Sequence, residues 1–591
     1  MLKRSVRAAA GIAALAVGFL SFVPSLLFTV VAPSSFEAAQ GMQSSPSSNQ
    51  QTESKANQIP ITPPPMGWSS WNSFSNTVDS NVIMQQTKAL VSSGMKKAGY
   101  QYVNIDEGWW LGERDQSGNI LVDAKQWPAL QPGEQPGDMS NIVRFIHGLG
   151  LKAGIYTDAG EAGCSFYGPD LGPPILHTGS EGHYDQDFLK FAQWGFDYVK
   201  VDWCGGNKEN LDPAAQYAEI AHAIHRAEKI TGHRLYFSIC DWGNNSPWTW
   251  APGVGGIAAD IWRTSGDIVA PIVANTPNSS RSASFAGVLS NFDQGIHPQA
   301  QHTGFYNDPD MMVVGMQGLS DAQNRVHMSL WAISGAPLIV GADLSKLSKA
   351  TIEILTNPDV IAVDQNLLGI QAIKVDEPLP GLQVWSKPLA TPGGHAVLLL
   401  NRTSAPAKIE VSWNEIGLDS SASATVRNLW AGKELGSYSS TYTATIPASD
   451  AALLVIHGTD AKATRYEAAS SANELSGGAT PEPCETCPSG RSITIGGERS
   501  LTFKIAPLKR STFVQIHYIN RSTSPHTTQL SVDGQMPTDI LFPPTGGGDE
   551  VGSITIEVES KQAGSESTLA FSSPGVTGPA FESISLLAGA H

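Results

Sequence analysis

The chain reads as an α/β protein: a (β/α)8 barrel, then an antiparallel β domain and a C-terminal β-sandwich. Three observations predict this. Eight short apolar, β-branched runs recur between residues 66 and 342, with helical patterns between several of them. After about Ile370 helical periodicity gives way to short alternating strands. The length of 591 residues leaves room for three or four domains. A doubly wound open sheet is the alternative for the first part, but no G-x-G-x-x-G follows its first strand.

At the amino terminus, Lys3, Arg4 and Arg7 precede an apolar run from Ala8 to Val31, and Ala38 and Ala39 follow. A basic start, an apolar core and a small-residue exit make residues 1–40 a secretory signal. The run is long and is interrupted by Ser21 and Pro24, so an uncleaved membrane anchor is the alternative. Only in that case is a membrane a partner. Export to a periplasmic or extracellular space is expected. Residues 41–59 are Ser/Gln/Asn-rich around 43–55 and read as a disordered linker.

The barrel is expected over residues 60–370. Its strands are Met66–Trp71, Tyr102–Asp106, Leu151–Tyr156, Tyr198–Asp202, Leu235–Cys240, Asp260–Ser265, a region near Phe305–Met311, and Pro337–Ala342. The clearest helix runs from Asp212 to Gly232. Asp212 is an N-cap, Pro213 the first helical residue and Gly232 the stop; Tyr217, Ile220, Ala221 and Ile224 form one apolar face. Another helix is expected to end at Gly195. The β domain occupies 371–458, with strands at Leu382–Trp385, Ala396–Leu400, Ala407–Val411 and Ala451–Ile456. The sandwich occupies 459–591, with core candidates Leu501, Phe503, Phe513, Ile516, Tyr518, Ile554 and Ile556.

Composition excludes several functions. The 54 acidic against 37 basic residues give a net charge of −17, the opposite of a nucleic-acid footprint and unsuited to anionic membranes. Five cysteines make neither a disulfide-dense scaffold nor a zinc-ribbon array.

The carboxyl ends of the strands, where such barrels carry chemistry, are polar and aromatic. In order they offer Trp71; Asp106, Glu107, Trp109 and Trp110; Tyr156 and Asp158; Lys200, Asp202, Trp203 and Cys204; Cys240, Asp241 and Trp242; Arg263 and Asp267; and Asn307, Asp308 and Asp310. Lys200 and Asp202, two apart on one strand, share a face. Carboxylates with tryptophans, and no histidine cluster, suit a sugar: indole covers the apolar face of a pyranose and carboxylates accept its hydroxyls. Any one of these acids could be a cap or a rim salt bridge; acids at successive strand ends point to a site. Glycoside hydrolysis needs two carboxyl groups flanking the scissile bond. Asp202 beside a cation suits the nucleophile, and Asp267 on the Ser265-Gly266 turn suits the acid/base, although spacing alone does not assign those roles.

These residues resemble glycoside hydrolase family 27, the α-galactosidase family. The resemblance rests on Pro65-Met66-Gly67-Trp68-Ser69-Ser70-Trp71-Asn72, Tyr102-Val103-Asn104-Ile105-Asp106 and Gly150-Leu151-Lys152-Ala153-Gly154-Ile155-Tyr156. It continues through Lys200-Val201-Asp202-Trp203-Cys204, Trp262-Arg263 with Asp267, Asn307-Asp308-Pro309-Asp310-Met311 and Ala336-Pro337-Leu338. It implies retaining hydrolysis of terminal α-D-galactosyl residues, with Asp202 as nucleophile and Asp267 as acid/base. It implies sugar contacts from Trp71, Asp106, Tyr156, Lys200 and Arg263, a Cys164–Cys204 disulfide beside the site, and no metal or organic cofactor. The implied partner is a galactose- or arabinopyranose-containing oligo- or polysaccharide.

Two positions depart from the family pattern. Glu107 stands where a second Asp is usual. Its extra methylene reaches toward the sugar's 6-hydroxyl, which favours β-L-arabinopyranosides as the alternative substrates. Asp241 stands where Glu is frequent before Trp242, near the 2-hydroxyl. Cys240 lacks an evident partner and reads as a free buried thiol. An isomalto-dextranase-like glucanase and a noncatalytic sugar-binding protein are the remaining readings. In the third unit, Tyr466-Glu467-Ala468, Ser476-Gly477-Gly478 and Leu501-Thr502-Phe503 resemble carbohydrate-binding modules of families 6 and 35. Such modules hold calcium through two glutamates, and Ala469 replaces the second. The unit has no tryptophan, and Cys484 and Cys487 suit a local disulfide.

Overall fold

The computed structural model describes residues 57–58, 61–167, 178–251, 259–268, 282–302, 304–508, 511–561 and 565–587. The export segment and most of the linker expected before residue 60 lie outside them.

Eight parallel strands build the first unit: β1 Met66–Ser69, β2 Tyr102–Asn104, β3 Lys152–Asp158, β4 Tyr198–Asp202, β5 Tyr236–Cys240, β6 Ile261–Arg263, β7 Tyr306–Asp308 and β8 Leu338–Val340. They pair in the order β7-β6-β5-β4-β3-β2-β1-β8. The ring closes just past β7, where Met312 forms a parallel bridge with Val340. The Met312 amide donates to the Ile339 carbonyl at 2.6 Å, and the Gly341 amide to the Met312 carbonyl at 2.9 Å. Buried tryptophans, including Trp68, Trp109, Trp203, Trp262 and Trp331, fill the surrounding core.

The helices follow their sequence signals. Pro213–Thr231 starts with the Asp212 side chain accepting from the Ala215 amide and stops at Gly232, φ +71°. Tyr184–Trp194 stops at Gly195, φ +88°. Several strands are shorter than their apolar runs. Asp106 and Trp71 lie past the last paired residues of β2 and β1, because their polar or bulky side chains belong to the loops above.

The β domain has a six-stranded antiparallel sheet with Gly394–Asn401 and Asp450–His457 at its centre, and a hairpin-like pair of Ala407–Ser412 with Thr441–Ile446. It joins the barrel through Trp430, whose indole N–H donates to Ser329 Oγ at 2.8 Å. The buried Lys387 adds donation to the Ala332 and Ile370 carbonyls.

The third unit is a sandwich of a seven-stranded and a five-stranded sheet. Leu501, Phe503, Ile516, Tyr518, Ile554 and Ile556 fill it as expected. Phe513 does not: it joins the core of the β domain. On its strand Val514, Ile516 and Tyr518 alternate inward, so Phe513 points out of the sandwich, and the neighbouring unit covers it. Within the stretch read as disordered, Asn57–Gln58 pairs in parallel with Gly552 and Ser553 of this unit. The Leu541 amide donates to His302 Nε2 at 3.3 Å, so the unit also touches the loop that enters β7, at the amino-terminal face of the barrel.

Candidate active site

At the opposite, carboxyl-terminal face a cavity of about 110 Å³ is lined by Trp71, Asp106, Glu107, Tyr156, Cys164, Lys200, Asp202, Cys204, Trp242 and Asp267. Strands β1 to β6, or the loops that follow them, supply every one of these groups.

Asp202 ends β4 and is buried. Its Oδ1 accepts from the Trp203 amide at 3.1 Å, and Lys200 Nζ lies 3.8 Å from its Oδ2. Burial raises its proton affinity; Lys200 and a hydrogen bond with the Cys240 side chain oppose that shift. The cation is therefore less decisive for Asp202 than the sequence suggests. Lys200 bonds Asp106 more closely, at 3.0 and 3.3 Å to the two oxygens. Ser69 Oγ also donates to Asp106, at 3.3 Å. Above Lys200, the Tyr156 ring centroid stands 5.2 Å from Nζ.

Glu107 is fully buried and held by one residue. The Ser165 amide donates to Oε1 at 3.2 Å and Oε2 at 3.0 Å, and the Ser165 hydroxyl to Oε1 at 2.8 Å. Burial pushes its proton affinity up to about 8 despite these bonds. Room for the carboxylate comes from Gly163: a Cβ there would stand 2.2 Å from Glu107 Oε1 and 3.0 Å from Trp110 Cζ2.

Asp267 is the exposed member of the carboxylate pair, 42% accessible, with Oδ1 3.2 Å from Arg263 Nη2. Arg263 itself is buried beneath that cavity, where it lines a smaller void. Its Nη1 lies 3.0 Å from Asp310 Oδ1 and 3.6 Å from Cys240 Sγ. Asp310 also accepts from the Ile268 amide at 2.9 Å, one residue past Asp267. It adopts φ +106°, a conformation rarely taken by a non-glycine residue, and burial pushes its proton affinity up to about 7. Asp310 and Cys240, both at the strand ends singled out above, thus support the site, as do Ser165 and Gly163, which the sequence did not mark. Asp310 belongs to a motif already singled out; Ser165 and Gly163 give no local signal.

Two of the expected sugar-contacting residues lie outside the cavity lining, Arg263 beneath it and Asp241 beside it. The Asp241 Oδ1 turns back to accept from the Gly243 amide at 3.1 Å. The short side chain favours this local turn, and burial pushes its proton affinity up to about 6. Trp242 does line the cavity, at φ +56°.

Cys164 and Cys204 are bonded, which ties the loops after β3 and β4. Asp158 reinforces the tie, accepting from the Cys204 amide at 2.9 Å and from the Gly205 amide at 3.0 Å. Among the described residues, the one cluster with metal-ligand spacing is Asp158 with Cys164 and Cys204. The disulfide occupies both sulfurs of that cluster. Cys484 and Cys487 are bonded, and Cys240 is a buried free thiol. In the third unit Arg465 pairs with both Glu467 and Glu582, so a guanidinium stands beside the glutamate expected to hold calcium.

Residues 62–366 match the family model described as alpha galactosidase A, and residues 380–456 match the alpha galactosidase C-terminal beta sandwich domain. Residues 508–586 match the alpha-galactosidase CBM13 domain, which replaces the resemblance to module families 6 and 35. Alpha-galactosidase A of Cellvibrio japonicus is 40% identical over 405 residues, 66% of this chain and 91% of that protein. The crystal structure of alpha-galactosidase I from Mortierella vinacea is 32% identical with a TM-score of 0.58, covering 69% of this chain and 99% of that one. The Saccharomyces cerevisiae α-galactosidase solved with raffinose is 25% identical, TM-score 0.56, covering 67% and 98%.

Proposed function

The chain belongs to the α-galactosidase A family, and from that premise we propose that it is a retaining exo-glycosidase that removes terminal α-D-galactosyl residues from oligo- or polysaccharides. The observation that carries this reading is the meeting of Asp202 and Asp267 in one cavity with Trp71, Tyr156, Asp106 and Lys200. Asp202 attacks the anomeric carbon while Asp267 protonates the departing oxygen. Asp267 then takes a proton from water, which attacks the same carbon and releases Asp202. Two inversions retain the configuration. The exposure of Asp267 suits a group that exchanges protons with leaving group and water, and the burial of Asp202 suits a nucleophile shielded from solvent. Lys200 and Asp106 form the polar wall for the sugar hydroxyls; Trp71 offers an apolar one. Arg263 acts from beneath by holding Asp267.

A second reading has a specific observation behind it. Glu107 lines the cavity where the family usually has Asp, and its extra methylene favours a pentose without the hydroxymethyl group, β-L-arabinopyranose. The Ser165 bonds draw the carboxylate toward the loop after β3, which favours the galactoside. The export pattern at the amino terminus and the two disulfides support action outside the cytoplasm.

Side-by-side kcat/KM on nitrophenyl α-D-galactopyranoside and β-L-arabinopyranoside tests the reading. The galactoside is expected to be preferred, and Asp202→Asn to lower kcat by at least about a thousandfold. Preference for the arabinoside would replace the first reading with the second. Turnover undiminished in Asp202→Asn would remove the mechanism.

A further inference from the structure

Asp267 stands on an exposed turn, yet the backbone on both sides of it is tied to the loop after β7. Past it, the Ile268 amide donates to Asp310. Before it, the Ser265 hydroxyl donates to the Pro309 carbonyl at 3.1 Å. One side chain outside the cavity lining joins the same two loops. Asn291, 5% exposed, donates through Nδ2 to the Gly266 carbonyl at 2.6 Å and to the Pro309 carbonyl at 2.9 Å. Both hydrogens of that amide are thereby engaged, one on the residue before Asp267 and one on the residue before Asp310.

Asn291 belongs to the helix Phe285–Gln294, which starts with the Ser284 side chain accepting from the Gly287 amide. Successive side chains on a helix point about 100° apart, so the two residues that follow Asn291 reach other partners. Phe292 packs edge-on against Trp385 of the β domain, with ring centroids 4.9 Å apart. The Asp293 carboxylate accepts from both terminal nitrogens of Arg402, at 2.6 and 2.7 Å. Arg402 directly follows the central strand Gly394–Asn401 of that domain. Three consecutive residues thus connect the turn that carries Asp267 to a domain that lends no side chain to the cavity lining.

We propose that Asn291 is the positioning residue of the acid/base, and that the β domain, by seating the helix that carries it, fixes where Asp267 lies. The proposal rests on the reading of Asp267 as acid/base. A carboxyl displaced by about 1 Å is still an acid, but it no longer meets the departing oxygen at hydrogen-bonding distance. The loss then falls on substrates whose leaving group needs a proton. It spares those whose leaving group departs as a stable anion.

Raffinose serves as the demanding substrate and 2,4-dinitrophenyl α-D-galactopyranoside as the undemanding one. Turnover of both by the parent tests the reading itself; the ratio of their kcat/KM values among variants tests the inference. Asn291→Ala is expected to lower kcat/KM for raffinose at least about tenfold and for the dinitrophenyl substrate less than about threefold. Azide should then raise kcat of this variant on the dinitrophenyl substrate, because it attacks the anomeric carbon of the galactosyl–Asp202 ester without a base. The bond to Asp202 breaks, the carboxylate is released and α-galactosyl azide is the product. Arg402→Ala, outside the cavity lining, should show the same bias at about two- to fivefold. It carries the comparison alone if circular dichroism shows that Asn291→Ala does not fold. Equal losses on both substrates, an unchanged raffinose rate or no azide response in Asn291→Ala overturns the proposal. The parental ratio in Arg402→Ala overturns the part given to the β domain.

Discussion

Glu107 and Gly163 are a coupled pair. The longer acid fits because the residue opposite it has no side chain, and the Ser165 amide and hydroxyl fix where its carboxylate rests. Gly163→Ala should therefore cost about 1–3 kcal/mol through overpacking and lower kcat/KM for the galactoside. Combining it with Glu107→Asp, which withdraws one methylene, should restore most of the stability. Thermal unfolding of the two single variants and the double variant checks this, and a Gly163→Ala protein as stable as the parent would refute the coupling. The sequence exposed Glu107 as a departure but not its partners, which lie 56 and 58 positions away on another loop. The direction of the Asp241 carboxylate was not legible either. A strand end fixes where a side chain begins, whereas the turn after it decides where the carboxylate points, and here the Gly243 amide captures it.

Among elements, the loops after β3 and β4 are clamped twice, by the disulfide and by Asp158 beneath it. The disulfide closes a loop with a sequence separation of 40. The chain-entropy model gives about 4 kcal/mol for such a closure. Replacing both cysteines by serine should lower the unfolding free energy by up to about that amount. It should also raise KM more than it lowers kcat, because Cys164 and Cys204 line the cavity without touching the reacting bond. Urea titration and steady-state kinetics read the two effects, and an unchanged KM would mean that Asp158 alone holds the loops. Elements with both a period and a cap, such as Pro213–Thr231, were legible almost to the residue. Strand ends were less so, because apolar composition continues past the last ladder bond. Phe513 was assigned to the wrong core because both faces of its strand are covered, and a sequence shows only that a residue is apolar, not which unit buries it.

For the whole molecule, the buried acids set the response to pH. Burial holds protons on Glu107 up to about 8 and on Asp310 and Glu557 up to about 7, whereas unfolded carboxyls release theirs near about 4. Above neutrality the native state thus binds more protons than the unfolded one, so stability falls as pH rises. The buried His302 and His327, pushed down to about 4 and 3, are neutral in the native state and matter mainly below about 6.5. Between pH 7 and 8.5 the unfolding free energy should drop by about 1–2 kcal/mol, and Glu107→Gln should remove more than half of that slope. Urea unfolding at the two pH values decides it, and stability constant or rising over this range would show that these acids are ionised in the native state. The order of the three units was readable from the change of periodicity near Ile370. Their mutual contacts were not, since Asn57–Gln58 with Gly552–Ser553 and His302 with Leu541 join residues hundreds of positions apart that carry no matching local pattern.

The seam of the barrel has a consequence for synthesis. β1 pairs with β8, and Met312 joins Val340, so the first strand waits for the last. At about 5–20 residues per second, roughly 15–55 s separate the emergence of Met66 from that of Val340. Throughout that interval the growing sheet has two open edges able to pair with other chains. A ribosome stalled before residue 338 would release a fragment that contains Asp202 and Asp267 yet leaves the edge of β1 opposite β2 unpaired, and aggregation rather than partial activity is its expected fate.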